Sequence, residues 1–217
     1  MKKTLITLVI MISAISSYAQ GDTGWGIRAA FDINIPSKLG GRLNDEKLDL
    51  FRTGYGATIG AVYSYWISDF VFLEPGVSLF YDTYAYKDLI ISDEKGKTIE
   101  EDPSLYKLGV RIPVVIGYSY NLFDNLPMRV YTGPELSYAF SGSVRIKNKA
   151  LLDGDEFTLF GKNGFMKPWD CAWKIGLGAD FDIATICVEA SMGITDIYKD
   201  HLSLRDNRVS VSITHYF

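Results

Sequence analysis

From residue 25 to residue 217 apolar and polar residues alternate with a period of two, the mark of strands that show different surroundings to their two faces. The alternation defines eight segments, roughly 25–35, 54–66, 70–83, 105–120, 127–141, 170–182, 185–195 and 207–217. Most run 11–16 residues. Soluble strands are mostly about 5–6 residues long, whereas a strand that crosses a membrane needs about 9–11. The connections also alternate. Residues 36–53, 84–104, 142–169 and 196–206 form the longer loops, and 67–69, 121–126 and 183–184 the short turns. Long and short connections therefore fall at opposite ends of the sheet, as in outer-membrane barrels. The pattern predicts an all-β fold, an eight-stranded antiparallel up-and-down transmembrane β-barrel.

Alternation alone does not say which face lies inside. A soluble lipocalin-type barrel turns its apolar face inward, and a membrane barrel turns it outward. In 105–120 the even positions run Tyr106, Leu108, Val110, Ile112, Val114, Ile116, Tyr118 and Tyr120, and the odd ones include Lys107, Gly109, Arg111 and Gly117. On the polar face sit Gly26, Gly56, Gly60, Gly76, Gly109, Gly117, Gly133, Gly176, Gly178 and Gly193, and the apolar faces of these strands carry no glycine. Glycine weakens a solvated strand, but a narrow lumen needs it to make room for long ionic side chains. The polar faces carry Arg28, Lys107, Arg111, Arg129, Lys174 and Arg208 against Asp32, Glu74, Asp82, Glu135, Asp180, Asp182 and Glu189. Such a near-neutral set suits an enclosed space in which each charge finds a partner.

Aromatic residues sort to both ends of the apolar face. Trp25, Tyr63, Tyr65, Tyr118, Tyr120 and Phe181 lie near the short turns, and Tyr55, Tyr81, Tyr106, Tyr138, Phe140 and Trp173 near the long loops. Ten steps of about 3.3 Å, tilted by about 40°, separate the two groups by roughly 25 Å, the height of an apolar band between interfacial girdles. Eight strands enclose only enough room for side chains, so the lumen is expected to be plugged by its own ionic network.

The N-terminus reads as a secretory signal. Lys2 and Lys3 precede the apolar run 5–15, and Ser17 and Ala19 fit a cleavage site after Ala19. The expected organisation is a signal peptide over 1–19 and a barrel domain over 20–217. A lipoprotein would need a cysteine at the cut and none stands there, so a cleaved secretory signal is the expected reading. Without Lys2 and Lys3, 20 basic residues face 26 acidic ones, a balance that gives no nucleic-acid partner. Two histidines and two cysteines offer neither a histidine-based metal site nor a disulfide scaffold, and no metal or cofactor is expected. Cys171 and Cys187 fall on opposite faces of one hairpin. A turn at 183–184 sets Cys187 opposite Asp180, so a bridge between the cysteines is not expected.

The chain ends RVSVSITHYF, alternating through Val209, Val211 and Ile213 to a terminal Phe217. This resembles the last strand of bacterial outer-membrane proteins, whose final aromatic residue helps recognition by the barrel-assembly machinery. YKLGVRIPVVIGYSY at 106–120, RVYTGPELSYAFSG at 129–142 and WKIGLGADFDIATICVEASMGITDI at 173–197 are similar to strands of the outer-membrane β-barrel family that includes PorT-like proteins. The resemblance covers nearly all of 24–217. It implies an outer-membrane location and makes Phe217 the assembly signal. It carries over no catalytic residue, and a PorT-type accessory role in secretion is the alternative it brings.

Two polar clusters invite chemistry. His201-Leu202-Ser203, with Asp196, Asp200 and Asp206 nearby, has the residue types of a nucleophile, a base and an orienter. It resembles the His-x-Ser of lipid A deacylases, but their Asn-Ala-Gly-like continuation and downstream Glu are missing, and a polar loop tip is the expected state. DEKGK at 93–97 and EED at 100–102 read as solvated loop rather than a cation site. His215 is placed in the girdle by its parity. The expectation is therefore a non-enzymatic barrel with a structural or interaction role. Its partners would be outer-membrane lipids, the assembly machinery, and a protein or glycan at the long loops. A small lipid-A-modifying enzyme is the second reading. A soluble ligand-binding barrel is the third, and the glycine distribution opposes it.

Overall fold

The computed structural model describes residues 23–37, 39–41, 47–48, 51–86, 89–92, 98–101, 104–122, 126–145, 157–161, 164–181, 183–199 and 202–217. The signal segment with its cut after Ala19, Asp182, Asp200, His201 and the acidic residues 93–97 and 102 lie outside them.

Eight long strands form the wall: β1 (Gly24–Pro36), β2 (Gly54–Trp66), β3 (Val71–Tyr86), β4 (Ser104–Leu122), β5 (Leu126–Arg145), β6 (Trp169–Phe181), β7 (Ala184–Gly193) and β8 (Asp206–Tyr216). Each pairs antiparallel with its neighbours in the chain. The last pairs back onto the first, from Gly26 opposite Tyr216 to Pro36 opposite Asp206. Beyond it the Phe217 N–H donates to the Trp25 carbonyl at 2.9 Å. The ring leaves no sheet edge unpaired, the condition for strands to stand in hydrocarbon.

The faces sort by polarity. Neighbouring valines on β4 show it most directly: Val114 is 40% exposed on the outside, and Val115 is 2% exposed in the interior. Ile59, Leu79, Ile112, Leu177, Val188 and Val211 are likewise exposed outside, whereas Arg28, Asp32, Glu74, Arg111, Glu135 and Arg208 are buried. This is the inverse of a soluble protein and rules out the lipocalin-type arrangement.

Aromatic pairs border the apolar belt. Trp25 meets Tyr63 and Phe70 meets Tyr118 toward the short turns, and Phe31 meets Tyr55, Tyr81 meets Tyr106 and Tyr138 meets Trp169 toward the long loops. One expected member moves. Trp169 takes the outer place on β6, opposite Tyr138, and Trp173 sits four residues further along the strand, opposite Pro134. Its indole N–H, which lipid could not satisfy, donates to Thr132 Oγ1 at 2.7 Å.

Two details depart from the sequence pattern. Phe181 pairs with Ala184, one residue earlier than the expected turn at 183–184 would set the register, so Cys187 pairs with Gly178 and Asp180 with Thr185. That register lets Thr185 donate to Asp180 Oδ1 at 2.5 Å, a bond that the later turn would forfeit. Both cysteines are free, and Cys187 is buried. The second is a bulge on β5, where pairing passes from Ala139–Gly109 to Ser141–Leu108. A bulge reverses parity. Gly142 and Val144 therefore turn inward beyond it, and β4 and β5 run on to 19 and 20 residues.

Candidate functional site

The barrel interior holds one connected ladder of charges. Near its outer half Arg111 on β4 reaches three strands. Its Nη1 donates to Asp32 at 2.9 Å and to Thr58 at 2.7 Å, and its Nη2 donates to Asp82 at 2.5 Å. Its guanidinium also stacks on Phe80, 4.1 Å from the ring centre. Asp32 accepts from Thr58 and Ser210, both at 2.5 Å, and lies 3.7 Å from Arg208. Arg208 donates to Glu135 and, at 3.0 Å, to Ser191. Lys174 links Glu135 at 2.8 Å to Glu189 at 3.1 Å. Glu189 accepts from Tyr131 at 2.6 Å and stands 3.6 Å from Arg28. Arg28 donates to Glu74 at 2.6 Å and to Thr214 at 2.7 Å.

The ladder ends in an aromatic clamp near the short turns. Tyr216 donates to Glu74 at 2.5 Å, and Arg129 donates to Asp180 at 2.6 Å and to Tyr216 at 3.2 Å. The Arg129 guanidinium lies 5.0 Å from the Tyr216 ring centre and 5.4 Å from those of Trp66 and Phe72. Phe72, Val115, Tyr131 and Cys187 pack together there. The Tyr131 ring occupies the place a side chain would take at Gly176, where a Cβ would sit 2.2 Å from its Cζ.

The long-loop end closes differently. Tyr84, Leu105 and Val144 from the wall pack with Leu159 and Met166 from the β5–β6 connection and Ile197 and Leu204 from the β7–β8 connection. Backbone bonds tie this lid together: Met166 to Leu159, Lys167 to Ile197 and Ile197 to Leu204, at 2.8–3.0 Å. Lys199 Nζ donates to the Gly161 and Gly164 carbonyls at 2.5 and 2.6 Å. Ser37 and Arg205 exchange two bonds at 2.8–2.9 Å.

Twelve of the thirteen charges singled out on the polar faces lie in this interior. Arg28, Asp32, Glu74, Asp82, Arg111, Arg129, Glu135, Lys174, Asp180, Glu189 and Arg208 join through the contacts above. Lys107 instead donates to Asp206 at 2.7 Å. Asp182 lies outside the described residues. Asp206, the partner of Lys107, is read in the sequence only as an acid near His201, although it shares the parity of Arg208. The interior roles of Tyr84, Tyr131 and Tyr216, whose hydroxyls donate to the buried carboxylates of Asp206, Glu189 and Glu74, are not legible in the sequence either. Their signal was an aromatic residue standing on a polar face. The lid residues lie in segments without periodicity, where no alternation could expose them. Ser203 donates to Asp196 Oδ1 at 2.6 Å on the loop rim. His215 Nδ1 donates to the Ile183 carbonyl at 2.6 Å. Among the described residues no group of three or more His, Cys, Asp or Glu could hold a metal ion.

A closed ring of eight long antiparallel strands, apolar outside and ionic within, defines an outer-membrane β-barrel. Residues 18–199 match the family model described as outer membrane protein beta-barrel domain, and the chain belongs to that family. It is a bacterial outer-membrane protein. No curated protein matches its sequence. Among solved structures it is similar to Neisserial surface protein A, at 15% identity over 91% of this chain and 100% of that one, with a TM-score of 0.48. It is also similar to Ail, the attachment invasion locus protein of Yersinia pestis, at 11% identity over 90% and 99% of the two chains, with a TM-score of 0.45. A third is OprG of Pseudomonas aeruginosa, at 12% identity over 92% and 98%, also with a TM-score of 0.45.

Proposed function

We propose that this protein is a non-enzymatic, self-plugged outer-membrane barrel that acts through its long extracellular loops. The observation that carries this reading is the ladder. From Asp82 to Asp180 each ionic side chain has an opposite partner within 4 Å, and no step is left to a solute. A lumen so filled has little to offer as a pore, which leaves the loop surface as the working part. A protein or a glycan is the partner class proposed for it, with outer-membrane lipids around the belt. Ser203 spends its hydroxyl on Asp196, so no observation favours lipid A deacylation, and none favours a PorT-type role in secretion. In planar bilayers the purified barrel should show no steady conductance. Large, stable, porin-sized steps would refute the plug.

Export by a signal peptide cleaved after Ala19 belongs to the same proposal, as does Phe217 as the signal read by the assembly machinery. Phe217 supplies the hydrogen bond to Trp25 that extends the β8–β1 closure, and closure is the step at which exposed strand edges disappear. Deleting Phe217 should lower the outer-membrane yield and leave protease-sensitive protein in the periplasm. Removing two residues from within 93–97 should do neither. Equal assembly of both variants would contradict this role.

A further inference from the structure

The β7–β8 half of the lid leaves the wall at Thr195. Its hydroxyl donates to Asp170 Oδ1 at 2.6 Å, and the same oxygen accepts the Cys171 N–H at 2.9 Å. The Cys171 carbonyl in turn accepts the N–H groups of Ile194 and Thr195 at 2.8 and 3.3 Å. Two residues further on, Ile197 joins the halves of the lid: its carbonyl accepts the Lys167 N–H, and its own N–H donates to Leu204. Asp170 is therefore a side chain of the wall on which the lid is fastened. It is the second residue of β6, beside Trp169 of the outer girdle.

Asp170 is partly buried and lines the chamber beneath the lid together with Asp82 of β3, Glu135 of β5 and Asp206 of β8. Among the described residues each cation of that chamber is engaged elsewhere. Lys107 donates to Asp206, Arg111 to Asp32 and Asp82, and Arg208 to Glu135. Lys167 of the lid donates to the Asp196 carbonyl at 3.2 Å. Asp82 and Asp206 each keep one oxygen without a protein partner, which adds to the negative charge of the space. Three of the four carboxylates thus have a cation, and Asp170 has the Thr195 hydroxyl.

We propose that the lid is a movable cover governed by the charge on Asp170: the ionised carboxylate loosens it, and neutralising that one group fastens it. A carboxylate drawn away from water without a cation is costly, and neighbouring carboxylates raise the cost. When the lid lifts, Asp170 meets water and the cost disappears. A neutral group at the same place still accepts the Thr195 hydroxyl on its carbonyl oxygen, and opening then gains nothing. A proton acts on Asp170 as an amide would, so the lid tightens in mild acid and loosens as the pH returns to neutral. Asp82, Glu135 and Asp206 work in the opposite sense. Their ion pairs stabilise the closed state and are lost only in acid strong enough to protonate a paired carboxylate.

The ladder and the Arg129 clamp lie below the lid and stay in place when it lifts. The barrel is non-conducting with the lid open or closed, so this proposal can fail while the bilayer experiment succeeds, and the reverse.

The test is amide hydrogen exchange on the folded barrel in detergent micelles, corrected for the intrinsic effect of pH on exchange. The reporters are the N–H groups of Met166, Lys167 and Ile197, which bond across the lid, with the amides paired between β5 and β6 as the reference. Protection measures how often each bond opens. Between neutral and mildly acidic pH, lid protection in the wild type should rise about tenfold relative to the wall, as relief of one unanswered buried charge implies. Asp170→Asn should show the higher protection already at neutral pH and no further rise in acid. Thr195→Val removes the hydroxyl but keeps the charge, and should lower lid protection. Should Asp170→Asn not assemble, the wild-type pH series decides alone. Lid protection that stays level or falls in mild acid would overturn the proposal. So would an asparagine variant no better protected than the wild type at neutral pH, one that keeps the acid response, or a valine variant with an unchanged lid.

Discussion

Replacing Arg111 with alanine should destabilise the barrel by about 3–5 kcal/mol, the range for removing one partner of a buried ionic group. The size follows from what remains. Asp32 and Asp82 are each 1% exposed, and Arg111 is the cation closest to both. Without it Asp82 loses its 2.5 Å ion pair, and Asp32 keeps only Arg208, at 3.7 Å. Thr58 and Phe80 lose contacts in the same step. Urea unfolding in detergent micelles reads the change. Arg111→Lys should recover part of the loss, since an ammonium can meet one carboxylate but lacks the fork that spans two. Arg111→Met combined with Asp32→Asn and Asp82→Asn should recover more than either single carboxylate change, because it withdraws the stranded charges. A change within about 0.5 kcal/mol for Arg111→Ala would mark a solvated position instead.

A second large effect is expected at Gly133. A Cβ there would lie 2.1 Å from the Val114 carbonyl oxygen and 2.8 Å from the Val115 Cα. Both are backbone, so no side-chain rotation relieves the clash, and β4 and β5 must part. The site adjoins Pro134, which donates no ladder bond, and the registered pairs there skip from Thr132–Ile116 to Glu135–Pro113. Gly133→Val should therefore cost about 1–3 kcal/mol or more, as overpacking does, and slow assembly. Gly176→Ala is the informative contrast. Its new methyl meets the Tyr131 ring, which can shift only by giving up the hydroxyl bond to Glu189. Loss there should be partial, and Gly176→Ala combined with Tyr131→Phe should show less than the sum of the two single effects.

The alternation made most of this fold legible. Eight segments, the order of long and short connections and the inward face all follow from a period of two, because every wall residue has either lipid or the lumen on its side. Glycine placement decided which face was which. What stayed hidden has local causes. The bulge at Phe140 is a one-residue event that composition does not mark, yet it reverses the parity of Gly142 and Val144. The β6–β7 turn shifted by one residue because Thr185 could bond Asp180. Asp206 and the tyrosine hydroxyls take their places in the charged interior through partners on other strands, which parity along one strand cannot identify. The lid is the largest omission. Leu159, Met166, Ile197 and Leu204 come from irregular segments, and only their common place over the barrel mouth makes them a cluster.

The central claim is an inside-out barrel: lipid against one face of each strand and a charged interior against the other. Val114 and Val115 test it side by side. In a methyl-labelled sample reconstituted in lipid bilayers, solid-state NMR should show magnetisation transfer from acyl-chain protons to the Val114 methyls. Val115, packed with Phe72 and Tyr131, should show none. Acyl-chain transfer to Val115 but not to Val114, or equal transfer to both, would contradict the arrangement of the whole wall.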